Sequence, residues 1–333
     1  MKYKNEYNKI SEILNKSNNV LIITHIDPDP DGLCSSHAIA LVIQQMKKKC
    51  NIALQHELIK KYSILIPDSS LPIYELSSDI NYDLIITLDL GSKKRSGKYI
   101  ELFNKNIPII NIDHHLDNDH FGEINIIDAS FSSTSELMYE FFKDQKIPIN
   151  QEIATALYIG IVFDTGSFRY SLTTSKTHKY VSELLEYKID TNDIYEMLFE
   201  RVSQGALRLM SKVSSTLEIF CNGKVAIISL RKAFYDECNA NESDNTLLVR
   251  LGSSIEGVDL SIFINEKEEN LIKVSLRSKY NFKVNEIAKQ FGGGGHEKAA
   301  GFIIEDNYKN VKEIIINKII SSYSKTMFND ILI

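Results

Sequence analysis

Aspartate and histidine residues cluster at four places in the first half of the sequence, each at the end of an apolar run. The first place reads THIDPDPDG (24–32) and directly follows VLII. The others are Asp89, the triplet DHH (113–115) and the triplet DTG (164–166). Mixed carboxylate and imidazole groups suit Mn, Fe, Co or Zn, whereas calcium and magnesium prefer oxygen ligands alone. The pattern therefore indicates a metal site with both kinds of ligand.

The same first segment also contains the D-x-D-x-D-G start of a calcium-binding loop. That loop needs a bidentate glutamate at its twelfth position. Counted from Asp27, the twelfth residue is Ala38. A strand-like run precedes the segment where the calcium motif expects a helix, and two prolines stiffen it. The calcium interpretation therefore fails at an essential ligand.

Strand-like and helix-like patterns alternate around these clusters. Continuous β-branched runs, typical of buried parallel strands, lie at 19–24, 83–90, 107–113 and 124–128. Helical patterns lie at 34–48, 133–144, 152–164 and 175–187. This alternation predicts a doubly wound α/β domain, in which ligands bind beyond the carboxyl ends of the strands. Several carboxylates gathered at that edge would repel each other unless cations neutralise them.

Each of these residues also has an ordinary structural explanation when it is taken alone. Asp29 and Asp31 could cap the helix that starts near Leu33. An aspartate before a glycine could belong to a turn, and a single histidine is more often structural than metal-binding. Two adjacent histidines after a buried strand are harder to explain in this way, and the four clusters together favour the metal site.

The second half of the sequence has a different pattern. Strand-like runs lie at 224–230, 258–266 and 271–278, and a helical pattern at 283–291 leads into FGGGGH. The sequence therefore predicts a catalytic α/β domain over 1–190, a helical linker over 191–216 and a smaller α/β domain with a mixed sheet over 217–333. We expect the active-site cleft to lie between the two domains.

The glycine run itself suggests anion binding. Four successive glycines leave backbone N–H groups open to a closely approaching anion, and His296 adds a donor. A flexible loop is the structural alternative for such a run. Arg277, on the strand before it, is either a phosphate-binding residue or an ordinary surface residue.

These motifs resemble, in order and spacing, those of the DHH phosphoesterase superfamily. The matching residues are His25-x-x-x-Asp29-x-Asp31, then Asp89, Asp113-His114-His115 and Asp164-Thr165-Gly166. SSTSEL (132–137) and FRYS (168–171) resemble segments of its standalone bacterial members. FGGGGH and SLRS (275–278) resemble the GGGH-type C-terminal domain associated with DHH. Asp27 and Pro30 depart from the pattern, because those members often have Asn and Gly there.

The resemblance implies two divalent metal ions, with Mn²⁺ expected and Mg²⁺ or Co²⁺ as alternatives. One ion would be held by His25, Asp29 and Asp89, and the other by Asp31, Asp89, His114 and Asp164. Asp113 would orient the histidine pair and His115 would reach the substrate phosphate. Asp89, Asp113 and His115 are thus the predicted catalytic residues. The other predicted substrate-binding residues are Arg169, Arg277, Ser278, Gly293, Gly294, Gly295 and His296.

The implied activity is a phosphodiesterase that converts pApA, cyclic di-AMP or nanoRNA to 5′-mononucleotides such as AMP. Some members also remove the 3′-phosphate of pAp. Three alternatives remain open: an inorganic pyrophosphatase, which lacks a GGGH domain; a single-strand exonuclease, which is usually longer; and an RNA-binding module, which does not need the metal residues.

Composition limits the partners. The chain has 333 residues and a net charge of −6, so we expect small nucleotides rather than long nucleic acid as ligands. The four cysteines form no C-x-x-C pair, which favours a reducing compartment. No apolar run approaches the length of a membrane span. We therefore expect a cytoplasmic protein, and the resemblance implies a homodimer.

Overall fold

The computed structural model describes residues 2–58, 60–65, 72–75, 81–245, 248–280 and 282–323. Residues 324–333 of the predicted C-terminal domain lie outside this description. The chain divides into two compact units, Met1–Glu200 and Arg201–Ile333. The predicted linker segment is helical and is shared between the units, with Thr191–Glu200 in the first and Gln204–Ser214 in the second.

A six-stranded sheet forms the centre of the first unit. Its strands are β1 (Asn19–Ile23), β2 (Lys49–Ala53), β3 (Pro72–Ile73), β4 (Leu84–Leu88), β5 (Ile109–Asp113) and β6 (Ile124–Ile127). All described pairs are parallel, and the order is β3-β2-β1-β4-β5-β6. Strands β2 and β3 are added on one side of β1 and strands β4 to β6 on the other, so the strand order reverses between β1 and β4. Open α/β sheets bind ligands at this position.

Helical segments cover both faces of this sheet. They are α1 (Lys4–Lys16), α2 (Pro30–Gln45), α3 (Lys60–Ser63), a 3₁₀ segment (Lys93–Asn104) kinked at Gly97, α4 (Thr134–Asp144), α5 (Gln151–Asp164), α6 (Ser175–Leu185) and α7 (Thr191–Tyr195), which continues as a π-helical turn (Glu196–Glu200). Val20 and Ile22 pack into the core on one face, and Leu21 and Ile23 into the core on the other. The continuous apolar run of β1 is therefore explained by burial on both sides, and the predicted doubly wound domain is confirmed.

Helix α2 begins earlier than the sequence pattern predicted. The pattern over 34–48 predicted a start near Leu33, whereas the helix begins at Pro30. Proline at the first helical position is favourable because its fixed φ suits the helix and its missing N–H needs no partner there. Asp29 caps this end, since its side chain accepts from the backbone N–H groups of Asp31 and Gly32. Asp31 therefore lies in the first turn of the helix.

A mixed six-stranded sheet forms the centre of the second unit, as predicted. Its strands are β7 (Glu218–Phe220), β8 (Val225–Leu230), β9 (Leu260–Glu268), β10 (Leu271–Ser278), β11 (Gly294–His296) and β12 (Ala299–Ile304). The order is β11-β12-β10-β9-β8-β7, with β8 and β9 parallel and the other described pairs antiparallel.

Helices cover this second sheet on both faces. They are α8 (Gln204–Ser214), α9 (Ala233–Cys238), α10 (Val284–Gln290) and α11 (Tyr308–Ile314), which continues as a π-helical turn (Ile315–Ile320). Short 3₁₀ segments lie at Glu242–Asn245, Leu248–Arg250 and Gly252–Ser254. Helices α10 and α11 pack on one apolar core, and α8 and α9 pack on the other. In the described part of the chain, no helix combines the length and the apolar character needed to cross a bilayer.

Candidate metal centre and phosphate-binding residues

The six predicted metal ligands and His115 lie together at the carboxyl edge of the first sheet. Among the described residues, they form three groups whose ligand atoms lie within 4.8 Å of one another. The groups are His25, Asp29 and Asp89; Asp31, His114 and Asp164; and Asp89, His114 and His115. The first two groups contain the same residues as the two predicted ligand sets, except that the second predicted set also included Asp89.

Asp89 is central to this arrangement. It directly follows β4, is 2% exposed, and has a φ of 56°, in the left-handed region that few non-glycine residues adopt. Its Oδ2 lies 3.6 Å from His25 Nε2, and its Oδ1 lies 3.7 Å from His114 Nε2. Strained backbone of this kind persists where the surrounding structure fixes it, often at a functional site. Asp89 is thus placed to serve both ligand groups.

Glycine at position 32 allows α2 to approach this carboxylate. A Cβ atom on Gly32 would lie 2.5 Å from Thr24 Oγ1 and 3.3 Å from Asp89 Oδ2. The first distance is too short for real atoms, so a side chain here would displace Thr24 or the helix. The D-G pair of the opening segment is therefore explained by close packing at the site rather than by a calcium loop.

Asp29 and Asp31 are held by backbone amides in different ways. Asp29 Oδ1 accepts from the N–H groups of Asp31 (3.0 Å) and Gly32 (3.2 Å). Asp31 is fully buried, and its two oxygens accept from the N–H groups of Thr134 (2.7 Å) and Ser135 (2.9 Å) at the start of α4. Asp29 therefore caps α2 and also belongs to a ligand group. The carboxylate of Asp31 instead lies at the N-terminus of α4, which is the positive end of that helix dipole.

The start of α4 is itself fixed by buried hydrogen bonds. Ser133 caps the helix by accepting from Glu136 N–H, and Glu136 Oε2 accepts from Ser132 N–H (2.9 Å) and Thr177 Oγ1 (3.1 Å). Thr134 Oγ1 also donates to Asp89 Oδ1 at 3.1 Å. From the sequence, SSTSEL was identified only by its resemblance to a family segment, with no role predicted for its residues. The Ser-x-x-Glu spacing, which is typical of a helix start, was the signal in the sequence.

The two histidines have different partners. His114 Nε2 lies 3.1 Å from Asp164 Oδ2, whereas His115 Nδ1 lies 2.7 Å from Asp113 Oδ1. Asp113 was predicted to orient both histidines; among the described residues its carboxylate contacts His115, Asn118 and the backbone N–H of His115. Asn118, 7% exposed, is a residue of this site that the sequence analysis missed.

The protonation equilibria of the cluster suit a cation. Burial and the nearby charge of Asp164 raise the pKa of Asp29 to about 6. Burial, followed by the charges of Asp31 and Asp29, raises the pKa of Asp89 well above its usual range. Burial and the nearby Arg95 lower the pKa of His25 to about 4, which keeps its imidazole neutral as a metal ligand must be. Burial lowers the pKa of His114, but the hydrogen bond with Asp164 and the charges of Asp31 and Asp89 raise it to about 10, so a metal ion would displace a proton from this imidazole. The donor set fits divalent metal ions.

Two of the predicted phosphate-binding residues share a face of the second sheet. Arg277 on β10 lies directly opposite Ala299 on β12, which in turn lies opposite His296 on β11. Directly opposed residues project from the same face, so Arg277 and His296 flank the small Ala299. Burial and the nearby Arg250 lower the pKa of Arg277, and its Nη1 donates to Leu276 O at 3.0 Å.

The glycine run forms a turn and the edge strand β11. A Cβ atom on Gly293 would lie 2.2 Å from Gly301 O, and one on Gly295, whose φ is 135°, would lie 2.5 Å from Ala299 O. Gly294 has no atom within 4 Å of such a position. Two of the four glycines are therefore required by close approach to β12, and the flexible-loop alternative does not describe this segment.

The remaining predicted substrate-binding residues lie in separate surroundings. Ser278 Oγ donates to Phe282 O at 2.6 Å. Arg169 belongs to the first unit, where its guanidinium lies 5.6 Å from the ring centroid of Tyr170 in the turn after Asp164. Arg169 is exposed, and its backbone N–H donates to Thr165 O.

Comparisons with known proteins agree with this architecture. The DHH family, N-terminal domain, matches residues 19–161, and the DHHA1 domain matches residues 222–325. A protein of Streptococcus mutans named probable bifunctional oligoribonuclease and PAP phosphatase NrnA is 30% identical over 304 residues, covering 89% of this chain and 94% of that protein. The cyclic-di-AMP phosphodiesterase PdeA of Listeria monocytogenes is 26% identical, covering 89% of this chain and 46% of that longer protein.

A solved structure has the same fold. The crystal structure of an exopolyphosphatase-related protein from Bacteroides fragilis superposes with a TM-score of 0.85 at 27% identity, covering 94% of both chains. The fold and the clustered ligands define a two-unit α/β protein with a candidate metal centre. The chain belongs to the DHH family and carries a C-terminal DHHA1 domain, which confirms the resemblance seen in the sequence.

Proposed function

We propose that this protein is a two-metal phosphodiesterase that hydrolyses very short nucleotides to 5′-mononucleotides and removes the 3′-phosphate of pAp. The observation that carries the proposal is the position of Asp89 beside β1 and β4, where it shares one ligand group with His25 and Asp29 and another with His114 and His115. The names of the two relatives support the substrate class, because they include oligoribonuclease, PAP phosphatase and cyclic-di-AMP phosphodiesterase.

The clustered groups support an assignment of metal ligands in which Asp89 is added to the group of Asp31, His114 and Asp164. His25, Asp29 and Asp89 would hold one ion, and Asp31, Asp89, His114 and Asp164 the other. We propose Mn²⁺, with Mg²⁺ and Co²⁺ as the ions to compare. Such ions, when bound, polarise a phosphoryl oxygen and supply a hydroxide nucleophile at neutral pH.

The chain itself contributes positioning around this centre. Asp113 holds the His115 ring by its Nδ1 atom, which leaves Nε2 for an oxygen of the scissile phosphate. His115 is 34% exposed at its side chain, so a substrate can reach it. We propose that Asp89 and Asp113 complete the catalytic set.

We assign a second substrate phosphate to the second unit. Arg277 and His296 project from one sheet face, and the exposed Gly294 and Gly295 offer backbone N–H groups near them. Ser278, Gly293 and Arg169 remain proposed contacts. The net charge of −6 agrees with small nucleotides as substrates.

One panel tests the activity. The purified protein with Mn²⁺ is incubated with cyclic di-AMP, pApA, pAp, short RNA and pyrophosphate, and the products are separated. We expect AMP from pApA or pAp, and mononucleotides from short RNA. Hydrolysis of pyrophosphate alone would refute the proposal in favour of a pyrophosphatase. The DHHA1 match already argues against that alternative, since pyrophosphatases of the superfamily lack this domain.

Variants test the residue roles. His115→Asn and Asp89→Asn should abolish hydrolysis in folded protein, whereas Asp27→Asn, in the same loop as Asp29 but 83% exposed at its side chain, should not. Arg277→Ala should reduce pApA turnover more than turnover of a small artificial phosphodiester, with the exposed Lys279→Ala as the control. Equal losses on both substrates would refute the role of Arg277.

We further propose a cytoplasmic homodimer. The family resemblance supports the dimer, and the free thiols of Cys34, Cys50 and Cys238 agree with a reducing compartment. Light scattering on the purified chain tests the oligomeric state, and a monomer at micromolar concentration would refute it.

A further inference from the structure

A buried hydrogen-bond network links the interior of the first sheet to the ring of His115. Thr87 Oγ1 donates to Asn111 Oδ1 (3.0 Å), and Asn111 Nδ2 donates to Asn118 Oδ1 (2.9 Å). Asn118 Nδ2 then donates to Asp113 Oδ2 (2.7 Å), while Asp113 Oδ1 lies 2.7 Å from His115 Nδ1. Thr87, Asn111 and Asp113 are fully buried. The network therefore ends at the histidine that we assign to the substrate phosphate.

The amide of Asn118 has only one orientation in this network. Besides its bond to Asp113, Nδ2 donates to Leu90 O at 3.1 Å, and Oδ1 also accepts from His120 N–H at 2.8 Å. A side-chain amide has two donor hydrogens and two acceptor positions, and all four are used here. Rotating the amide by half a turn would bring donors against donors and acceptors against acceptors. Asn118 is therefore fixed with an N–H directed at Asp113.

With Asn118 donating to Oδ2 of Asp113, the ring of His115 lies at the other carboxylate oxygen, Oδ1. Oδ2 is occupied by Asn118, and Oδ1 accepts from the backbone N–H of His115 at 3.2 Å. An ionised carboxylate only accepts hydrogen bonds, so the ring of His115 must supply the hydrogen at Nδ1. The hydrogen at Nδ1 leaves Nε2 as the nitrogen that is free to meet a ligand.

We propose that Asn118 is a positioning residue, which holds Asp113 so that His115 keeps its hydrogen on Nδ1 and directs Nε2 outward. Partners of this kind orient a functional side chain and fix its tautomer. The inference about the His115 ring stands on the hydrogen bonds alone. Its consequence for catalysis rests on the proposed function.

The test replaces the donor without changing the shape. Asn118→Asp keeps both acceptor bonds of Oδ1 but places a carboxylate oxygen against Asp113 and Leu90 O. The matched control is Asn125→Asp, one step further along the network, where Asn125 Oδ1 accepts from Asn111 Nδ2 at 3.3 Å and does not contact Asp113. Asn118→Ala, which removes the donor without adding charge, serves as a second variant if Asn118→Asp does not fold.

The first readout is the tautomer of His115 in the full-length, metal-free protein. Two-bond ¹H–¹⁵N correlation spectra distinguish the two ring nitrogens, and the His115 signal is assigned by its loss in His115→Asn. We expect a single Nδ1–H form in the wild type and in Asn125→Asp, and a mixed or reversed form in the Asn118 variants. An unchanged His115 signal in a folded Asn118 variant overturns the proposal.

The second readout is turnover of pApA with Mn²⁺. We expect kcat to fall about 10- to 100-fold in the Asn118 variants with KM changed less than about 3-fold, since this is the usual cost of losing such a partner. Asn125→Asp should retain wild-type values. Loss of the tautomer with unchanged kcat would overturn the catalytic consequence. An inactive wild type with the expected ring signals would instead refute the proposed function and leave the positioning role of Asn118 supported.

Discussion

Replacing Asp29 by asparagine separates the cost of crowding carboxylates from the benefit of binding a cation. Asparagine is as good an N-cap as aspartate, so Asp29→Asn keeps the two hydrogen bonds from Asp31 N–H and Gly32 N–H. The substitution removes one negative charge and one proposed ligand atom. We therefore expect opposite effects on the stability of the metal-free protein and on stabilisation by metal.

The magnitude follows from the pKa of Asp29. Burial and the charge of Asp164 raise this pKa from 3.8 to about 6 in the folded protein. Because the charged form is disfavoured in the folded state, the free energy of unfolding is reduced above pH 6, and the reduction disappears as the pH falls to 3.8. The full difference is up to about 3 kcal/mol. Metal-free Asp29→Asn should gain this amount at pH 7.5 and gain nothing at pH 4.

Urea unfolding followed by far-UV circular dichroism measures this difference, because the chain contains no tryptophan. EDTA-treated wild type, Asp29→Asn and Asp27→Asn are compared at pH 7.5 and pH 4. Asp27 carries the same charge in the same loop but its side chain is 83% exposed, so we expect a change of less than about 0.5 kcal/mol. Equal gains in both variants, or a loss in Asp29→Asn at pH 7.5, would refute the reasoning.

Adding Mn²⁺ reduces the difference between the two proteins. An ion present at about 100 times its Kd stabilises the wild type by about 2.7 kcal/mol. Asp29→Asn should gain clearly less at the same concentration, because the first ligand group has lost a carboxylate. Equal stabilisation of both proteins by Mn²⁺ would show that Asp29 is not a metal ligand.

Three further outcomes are expected. Gly160→Ala should lower the free energy of unfolding by about 1–3 kcal/mol and weaken Mn²⁺ binding, since the new Cβ would lie 2.0 Å from Ser135 Oγ and 2.6 Å from Asp31 Oδ1. The control is Gly91→Ala, where the nearest atoms to the new Cβ are 3.8 Å away. Tight Mn²⁺ binding by Gly160→Ala would contradict this prediction. Burial lowers the pKa of His37 to about 4, so protonation favours the unfolded chain and the wild type should lose up to about 3 kcal/mol of its free energy of unfolding between pH 6.5 and 4. His37→Gln should remove this loss. Urea midpoints at pH 7 and 4.5 measure the difference, and the same dependence on pH in both proteins would exclude it. Gly295→Ala should raise the KM for pApA by distorting β11, whereas Gly294→Ala should not, because a Cβ atom at position 294 has no neighbour within 4 Å. Equal KM values in the two variants would argue against the proposed role of this strand.

The strands of the first unit were predictable because burial on both faces produces continuous apolar runs. β2 and β3 were not predicted, since their short segments Lys49–Ala53 and Pro72–Ile73 have no such run and are defined by pairing with their neighbours. The early start of α2 was missed although its signals, a capping aspartate followed by proline, are present in the sequence. Capping by Asp29 had been considered as an alternative to metal binding, and Asp29 in fact caps α2 and belongs to a ligand group.

The ligand positions could be predicted from spacing, but the groups that hold the ligands could not. The amides that bind Asp31 lie 103 and 104 residues further along the chain, and their role depends on how α4 packs beside α2. The roles of Gly160 and Asn118 likewise depend on their positions next to Asp31 and Asp113. Such contacts depend on tertiary structure, and no periodicity in a single sequence reports them.

The way in which carboxylates are compensated differs between this site and the rest of the first unit. Elsewhere, lysines neutralise buried or half-buried acids, as in the pairs Lys176–Glu140, Lys143–Glu183 and Lys2–Asp128. In the described part of the chain, no lysine or arginine forms an ion pair with the metal-centre aspartates. These aspartates instead accept from backbone amides and hydroxyls, which carry no charge, and Asp164 Oδ2 lies 3.1 Å from His114 Nε2, an imidazole that must lose its proton before it binds a metal ion.

That difference has an energetic consequence. Buried charge that is only partly compensated lowers the stability of the metal-free protein, and it increases the free energy that a divalent cation gains by binding. A lysine in the cluster would relieve the repulsion but would compete with the ion for the same oxygens. The absence of such ion pairs among the described residues of the site is therefore what a metal centre requires, and it is the reason why neutralising Asp29 should stabilise the metal-free chain while weakening its response to Mn²⁺.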